Sequence, residues 1–272
     1  MNRREKEKQQ SRKTSALDWA KKQEKGGEST SVKLPEGVEF YKLEPGTHLL
    51  DFMPFISGKN NPHADPGFEH FERTYDVHRL PLPNGQVRPY CCLYCCFGKK
   101  CPICLWVNQN GRSADPELLK KIKASTRHLW LVNDKPGKED NPLKIFDTNH
   151  FNRGVGFGEM MADAINSVEE YACFANLEGG MSVRITVKEQ PAFPGGSKYN
   201  AVTRIDFVAR KKDYPENTLE KSICLDDLLI ETPFDELEKL LNQDVVETPS
   251  KKVDKGNRGT EETAKDLGIE VG

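Results

Sequence analysis

The sequence predicts a β-rich fold, a small barrel or an α+β domain. Three observations carry this. Many short apolar runs have strand length, few helical patterns separate them, and no strand–helix–strand rhythm would build a parallel sheet. Residues 47–56 form an apolar run behind Pro45-Gly46 and read as a central strand. Residues 71–80 and 86–93 flank Pro83-Asn84-Gly85, a hairpin signal. Helices are expected over 102–109 and from Asp115-Pro116 to about Ser125, with Asp as cap and Pro at the first helical position. Strands follow at 127–132 and 143–147 around Pro136-Gly137. A helix over 158–168 places Met161, Ile165 and Val168 on one face. In 181–189, Val183, Ile185 and Val187 alternate with Arg184, Thr186 and Lys188, and 199–210 returns as the hairpin partner across Pro194-Gly195-Gly196. Thr232-Pro233-Phe234-Asp235 opens a short acidic helix through Leu241 with a capping-box-like pattern.

The 272 residues allow one large domain or two small ones. Hydrophobic residues are 36% and mean hydropathy is −0.69, so part of the length is expected as solvated tails. No run of about 18 apolar residues exists to span a membrane. The first residues offer no secretory signal, which makes a reducing cytosol the expected compartment.

Net charge is −2 but unevenly spread. Residues 1–33 carry 10 Lys/Arg and 5 Asp/Glu, whereas 226–247 carry 1 basic and 8 acidic residues. This divides the chain into a basic N-terminal arm (1–33), a core (34–225), an acidic helical segment (226–247) and a tail (248–272) expected to be disordered. A basic arm with an acidic segment points to a polyanion-binding protein with a charge-based partner or self-contact; two ordinary solvated ends are the alternative.

Six of the eight cysteines fall at Cys91, Cys92, Cys95, Cys96, Cys101 and Cys104. In a cytosolic protein such crowding means metal far more often than disulfides. Cys101-Pro102-Ile103-Cys104 is a metal-binding turn opening a helix, whose N-terminal dipole favours thiolate. His78 precedes the hairpin, and the return strand delivers Cys91 and Cys92, so His78 with one of these completes a four-ligand set. Cys92 is preferred, with Cys91 as the alternate. An all-cysteine set of Cys92, Cys95, Cys101 and Cys104 remains a second arrangement. A site closed by four protein ligands is structural, so one structural Zn2+ is expected. Cys173 and Cys224 are expected in the core.

In ordered pieces the chain resembles the zinc-containing, helix-destabilising single-stranded DNA-binding proteins of T-even-like phages. Arg12-Lys13-Thr14-Ser15-Ala16 resembles that family's N-terminal self-association motif. Residues 46–54 (Gly-Thr-His-Leu-Leu-Asp-Phe-Met-Pro) resemble its first core strand, and His78 with the cluster ending at Cys104 resembles its zinc subdomain. Leu131-Val132-Asn133-Asp134, Leu143-Lys144-Ile145-Phe146, the helix near 159–165 and the hairpin at 181–210 follow in the family's order. The resemblance covers roughly residues 10–212. It implies an OB-fold-like barrel with an inserted zinc subdomain at about 71–110 and flexible N- and C-terminal tails. It also implies sequence-nonspecific, cooperative binding of single-stranded DNA in phage DNA replication, recombination and repair, within the cytoplasm of the infected bacterial host and without catalysis. Partners would be single-stranded DNA, further copies of the chain through Arg12, Lys13, Thr14 and Ser15, and replisome and recombination proteins through the acidic region. The sequence departs from the family in offering four cysteines before the Cys-x-x-Cys pair. Its acidity also peaks at 226–247 rather than at the last residues.

Binding single strands needs a cationic groove for phosphates and aromatic faces for bases. The expected DNA-contacting residues are Arg73, Tyr75, Arg88, Tyr90, Lys99, Trp106, Lys120, Lys121, Arg127, Tyr199, Arg210 and Lys211. The rival reading is a zinc-stapled protein–protein adaptor in phage transcription or assembly, which needs the metal but no such groove. A metalloenzyme is disfavoured, because no His-Glu-x-x-His pattern places a general base beside the cluster.

Overall fold

The computed structural model describes residues 29–81, 86–149, 156–191, 196 and 198–242. Among the described residues nine strands form in chain order: β1 Gly46–Met53, β2 Phe55–Ile56, β3 Glu69–His70, β4 Glu72–Pro81, β5 Val87–Cys91, β6 Ser125–Asn133, β7 Lys144–Asn149, β8 Met181–Pro191 and β9 Lys198–Ala209. Five α-helices accompany them among the same residues: α1 Leu93–Phe97, α2 Pro102–Asn110, α3 Pro116–Ile122, α4 Phe157–Ser167 and α5 Phe234–Leu241.

Seven strands make one sheet in the order β5-β4-β6-β1-β8-β9, with β7 on the second edge of β6. Every pairing between these strands is antiparallel. β5 and β9 stand at opposite ends of the path and do not pair among the described residues, so the sheet is open. The β-rich, antiparallel architecture with a few helices is as expected, but the sheet is not closed into the expected barrel. β5 stops after five residues because Cys92 turns the chain into α1.

β6 shows how the core is divided. Its run Leu129-Trp130-Leu131-Val132 is buried on both faces, and side chains alternate across a strand. Leu129 and Leu131 join Met53, Val77 and Ile145 on one face; Trp130 and Val132 join Leu50, Phe52, Phe146 and Phe157 on the other. Phe52 meets Trp130 edge-on with ring centroids 5.3 Å apart and stacks on Phe157 at 6.1 Å. β8 keeps its alternation, with Val183, Ile185 and Val187 buried and Arg184 and Lys188 exposed.

A third apolar cluster lies beneath α1–α3 and contains Leu80, Tyr90, Cys92, Cys101, Ile103 and Ile122, together with Leu237 and Leu241 of α5. The acidic segment is therefore no appendage over 226–242. Asp226 is buried, Leu229 bridges to Val32, and α5 packs on α2. The N-cap of α5 is Pro233 without a side-chain hydrogen bond, so the capping box from Thr232 does not form. α3 ends at Ile122, short of Ser125, because Lys123 is extended and Ser125 already pairs with Val77. Cys173 is half-buried, its thiol donating to the Glu170 carbonyl at 3.0 Å, whereas Cys224 packs against the first core cluster. The arm residues Arg12, Lys13, Thr14 and Ser15, the turn residues 83–85 and the tail 248–272 lie outside the described residues. Among the described residues no helix is long and apolar enough to cross a membrane.

Candidate metal centre

The β4–β5 hairpin sets the site. His78 pairs with Tyr90 and Val77 with Cys91, and the Cys92 amide continues the ladder to the Asp76 carbonyl at 2.8 Å. Directly opposed residues share a face, so Cys92 falls on the face of His78 and Cys91 on the opposite one. Cys91 accordingly enters the main core, where its thiol donates to the Ser31 carbonyl at 3.1 Å. Its hydrogen bond with Cys96, followed by burial, holds the Cys91 thiol well above the usual range, which suits a protonated core residue. Cys96 donates to the Asp76 carbonyl at 3.3 Å, and Cys95 is exposed.

Cys92 caps α1 and Cys101 caps α2, both in extended backbone; Cys104 sits in the first turn of α2 behind Pro102. His78 Nε2 lies 3.5 Å from both Cys101 Sγ and Cys104 Sγ, and Cys92 Sγ lies 3.5 Å from Cys104 Sγ. All four donor atoms fall within 4.8 Å of one another. A tetrahedral ion with metal–sulfur bonds near 2.3 Å and a metal–nitrogen bond near 2.0 Å needs donors about 3.5–3.8 Å apart. The second ring nitrogen is already committed. His78 Nδ1 lies 2.8 Å from the Ile122 carbonyl, which can only accept, so Nδ1 carries the proton and Nε2 presents its lone pair to the site. His63, His70 and His128 are not part of the cluster.

Without a cation the donors settle charge among themselves. Burial draws His78 down, but hydrogen bonds with Cys101 and Cys92 outweigh it and raise it to about 10. The hydrogen bond with Cys104 is the largest of the effects holding Cys101 well below the usual thiol range, and the same contact pushes Cys104 up. Three sulfurs and one imidazole are a donor set that could hold a metal ion, and four protein ligands on a tetrahedral ion leave no open position.

The expected DNA-contacting residues divide into two groups. Arg73 is fully buried, with its Nε 2.6 Å from Asp226 Oδ1, and Nη2 donates to the carbonyls of Asn60 (2.7 Å) and Cys96 (3.3 Å). Tyr75 is buried and donates to Asp147, and Tyr90 is buried in the metal lobe. The Arg210 side chain is 1% exposed, and its Nη2 faces the carbonyl of Phe174 at 3.1 Å. Arg73, Tyr75, Tyr90 and the Arg210 side chain thus lie in the interior rather than on the surface expected from the sequence, the two arginines and Tyr75 because they bond across elements and Tyr90 because it packs in the metal lobe. Arg127 is committed to Asp147 at 2.9 Å, and Trp106 is half-buried against the metal lobe. Lys120, Lys121 and Lys211 are exposed, Arg88 is half-buried on β5, and exposed Lys99 pairs with Glu231 at 2.6 Å.

Tyr199 lines a cleft of about 690 Å³ with Tyr41, Lys42, Phe146, Phe157 and Asn200. Tyr41, Lys42 and Phe157 are not among the residues expected from the sequence. The aromatic–basic pair Tyr41-Lys42 before the first strand was the signal that could have flagged them.

Fold and site together define a β-rich protein in which the described residues form an open antiparallel sheet and a four-ligand centre that could hold a metal ion. Comparison with protein-family models and with curated proteins finds no match for this chain.

Proposed function

We propose that this protein binds single-stranded DNA without sequence preference and acts, without catalysis, in phage DNA replication, recombination and repair. The observation that carries the reading is the cleft lined by Tyr41 and Tyr199, with Lys42 in its wall and the buried Phe146 and Phe157 beneath it. Aromatic faces take bases of any identity, and a cation takes the phosphate between them. The ordered resemblance to the T-even-like phage proteins supports the same reading. In it the sheet is an opened OB-like barrel, and the centre of His78, Cys92, Cys101 and Cys104 holds one structural Zn2+ that staples β4, β5 and α2. Cooperative contact between copies belongs to Arg12, Lys13, Thr14 and Ser15, and recruitment of replication proteins to the acidic region. Exposed Phe68 and Tyr94, 65% and 66% accessible, favour a protein–protein adaptor as the second reading.

Titration of the full chain with oligo-dT, followed by tryptophan fluorescence at several salt concentrations, separates the two. Neutralising Z phosphates makes log K fall with log salt at a slope of about −0.7Z for single strands. A saturable, salt-dependent quench is expected; absence of binding at low salt would leave the adaptor.

A further inference from the structure

The metal lobe is not built from the hairpin and α1–α3 alone. Leu237 and Leu241 of α5, 0% and 2% exposed, lie in the same apolar cluster as Cys92, Cys101 and Ile103. α5 packs against α2, the helix that Cys101 caps and whose first turn carries Cys104. Lys99, in the link between α1 and α2, pairs with Glu231 three residues before α5. No residue of α5 offers a donor to the metal, yet α5 covers the flank of the element that offers two.

We propose that metal binding and the docking of α5 are reciprocally coupled, so that the metal governs whether the acid-rich C-terminal segment is held against the lobe. α2 has nine residues, and a helix of that length is marginal without tertiary support. The ion fixes its N-terminus through Cys101 and Cys104, and α5 fixes its side through Leu237 and Leu241. Removing either support loosens the surface that the other needs. Exposed Asp235, Glu236 and Glu238 travel with α5, so metal occupancy also positions a block of negative charge. The coupling acts by the same factor in both directions. The inference rests on the metal-centre reading and is independent of nucleic-acid binding.

The test uses the full chain. Metal affinity is measured by chelator competition for the wild type, for Leu237→Ala/Leu241→Ala and for Glu238→Gln, an exposed position on the same helix. Cobalt absorption reports whether each protein still assembles a tetrahedral thiolate site at saturation. Amide hydrogen exchange across 234–241 is followed with and without metal. The expected result is a loss of affinity of roughly 5- to 150-fold in the double variant with the saturated cobalt bands retained. Glu238→Gln should be unchanged, and protection of α5 in the wild type should fall on metal removal while β1 and β8 stay protected. If the double variant does not fold, the wild-type exchange experiment alone decides. Tight metal binding with α5 equally protected in both states would overturn the coupling and leave the metal centre standing. Failure to bind metal at all would remove both.

Discussion

Arg73 and Asp226 form an ion pair sealed from solvent, with Nε 2.6 Å from Oδ1 and side-chain exposures of 0% and 2%. The approach is that of two charges rather than an in-line hydrogen bond. Asp226 Oδ2 also accepts from the Gly58 amide at 2.8 Å and from Asn61 at 3.3 Å. The pair thus joins β4, the loop after β2 and the C-terminal segment. Removing one partner leaves a buried charge uncompensated, which typically costs about 3–5 kcal/mol. Arg73→Ala and Asp226→Ala should each lower the unfolding free energy by that order, read from denaturant titration. A substitution costing under about 1 kcal/mol would return Arg73 to the surface role expected from sequence.

Glu72 supplies a pH dependence. Burial pushes its carboxyl up, but the hydrogen bond from His128, its nearby charge and the Thr74 hydroxyl at 2.6 Å outweigh burial and hold it below its ordinary value of 4.5. A depressed folded-state value means the stabilisation is complete above the unfolded value and is lost as pH falls through the folded one. Glu72→Gln should therefore lower Tm at pH 7, and the gap to the wild type should close below about pH 4. A gap that persists unchanged into acid would contradict this.

The cleft makes its own prediction. Tyr199→Ala should weaken oligo-dT binding by about 1–3 kcal/mol, the usual worth of a base–aromatic stack, with Tm close to wild type. Lys42→Ala should reduce the magnitude of the salt slope by somewhat less than one unit if it contacts a phosphate. Equal affinity in both variants would move the binding surface away from this cleft.

What the sequence discloses follows from the range of the interaction. Val183, Ile185 and Val187 alternate within one strand, and their burial is readable from neighbours alone. The Cys101–Cys104 turn is local in the same sense. The choice of Cys92 over Cys91 needs the hairpin register, which pairs His78 with Tyr90; Pro83-Asn84-Gly85 signals a turn but not its parity, because a two-residue and a three-residue loop differ by one position. Arg73 and Arg210 look like surface cations because nothing near them in sequence reveals Asp226 or Asp51, more than 150 residues away. The apolar stripe of Leu237 and Leu241 was visible, but not the flank of α2 that it covers. An open rather than closed sheet depends on how β5 and β9 end, which no strand pattern encodes.

The most direct test of the metal centre is zinc content per chain after exposure to a moderate chelator, measured for the wild type, Cys91→Ser and Cys92→Ser. The register places Cys92 beside His78 and turns Cys91 into the core. The wild type and Cys91→Ser should retain one zinc per chain, whereas Cys92→Ser should lose it and melt at lower temperature, as expected when a structural metal contributes to folding. Zinc retained by Cys92→Ser but lost by Cys91→Ser, or a wild type that takes up none, would contradict the four-ligand centre.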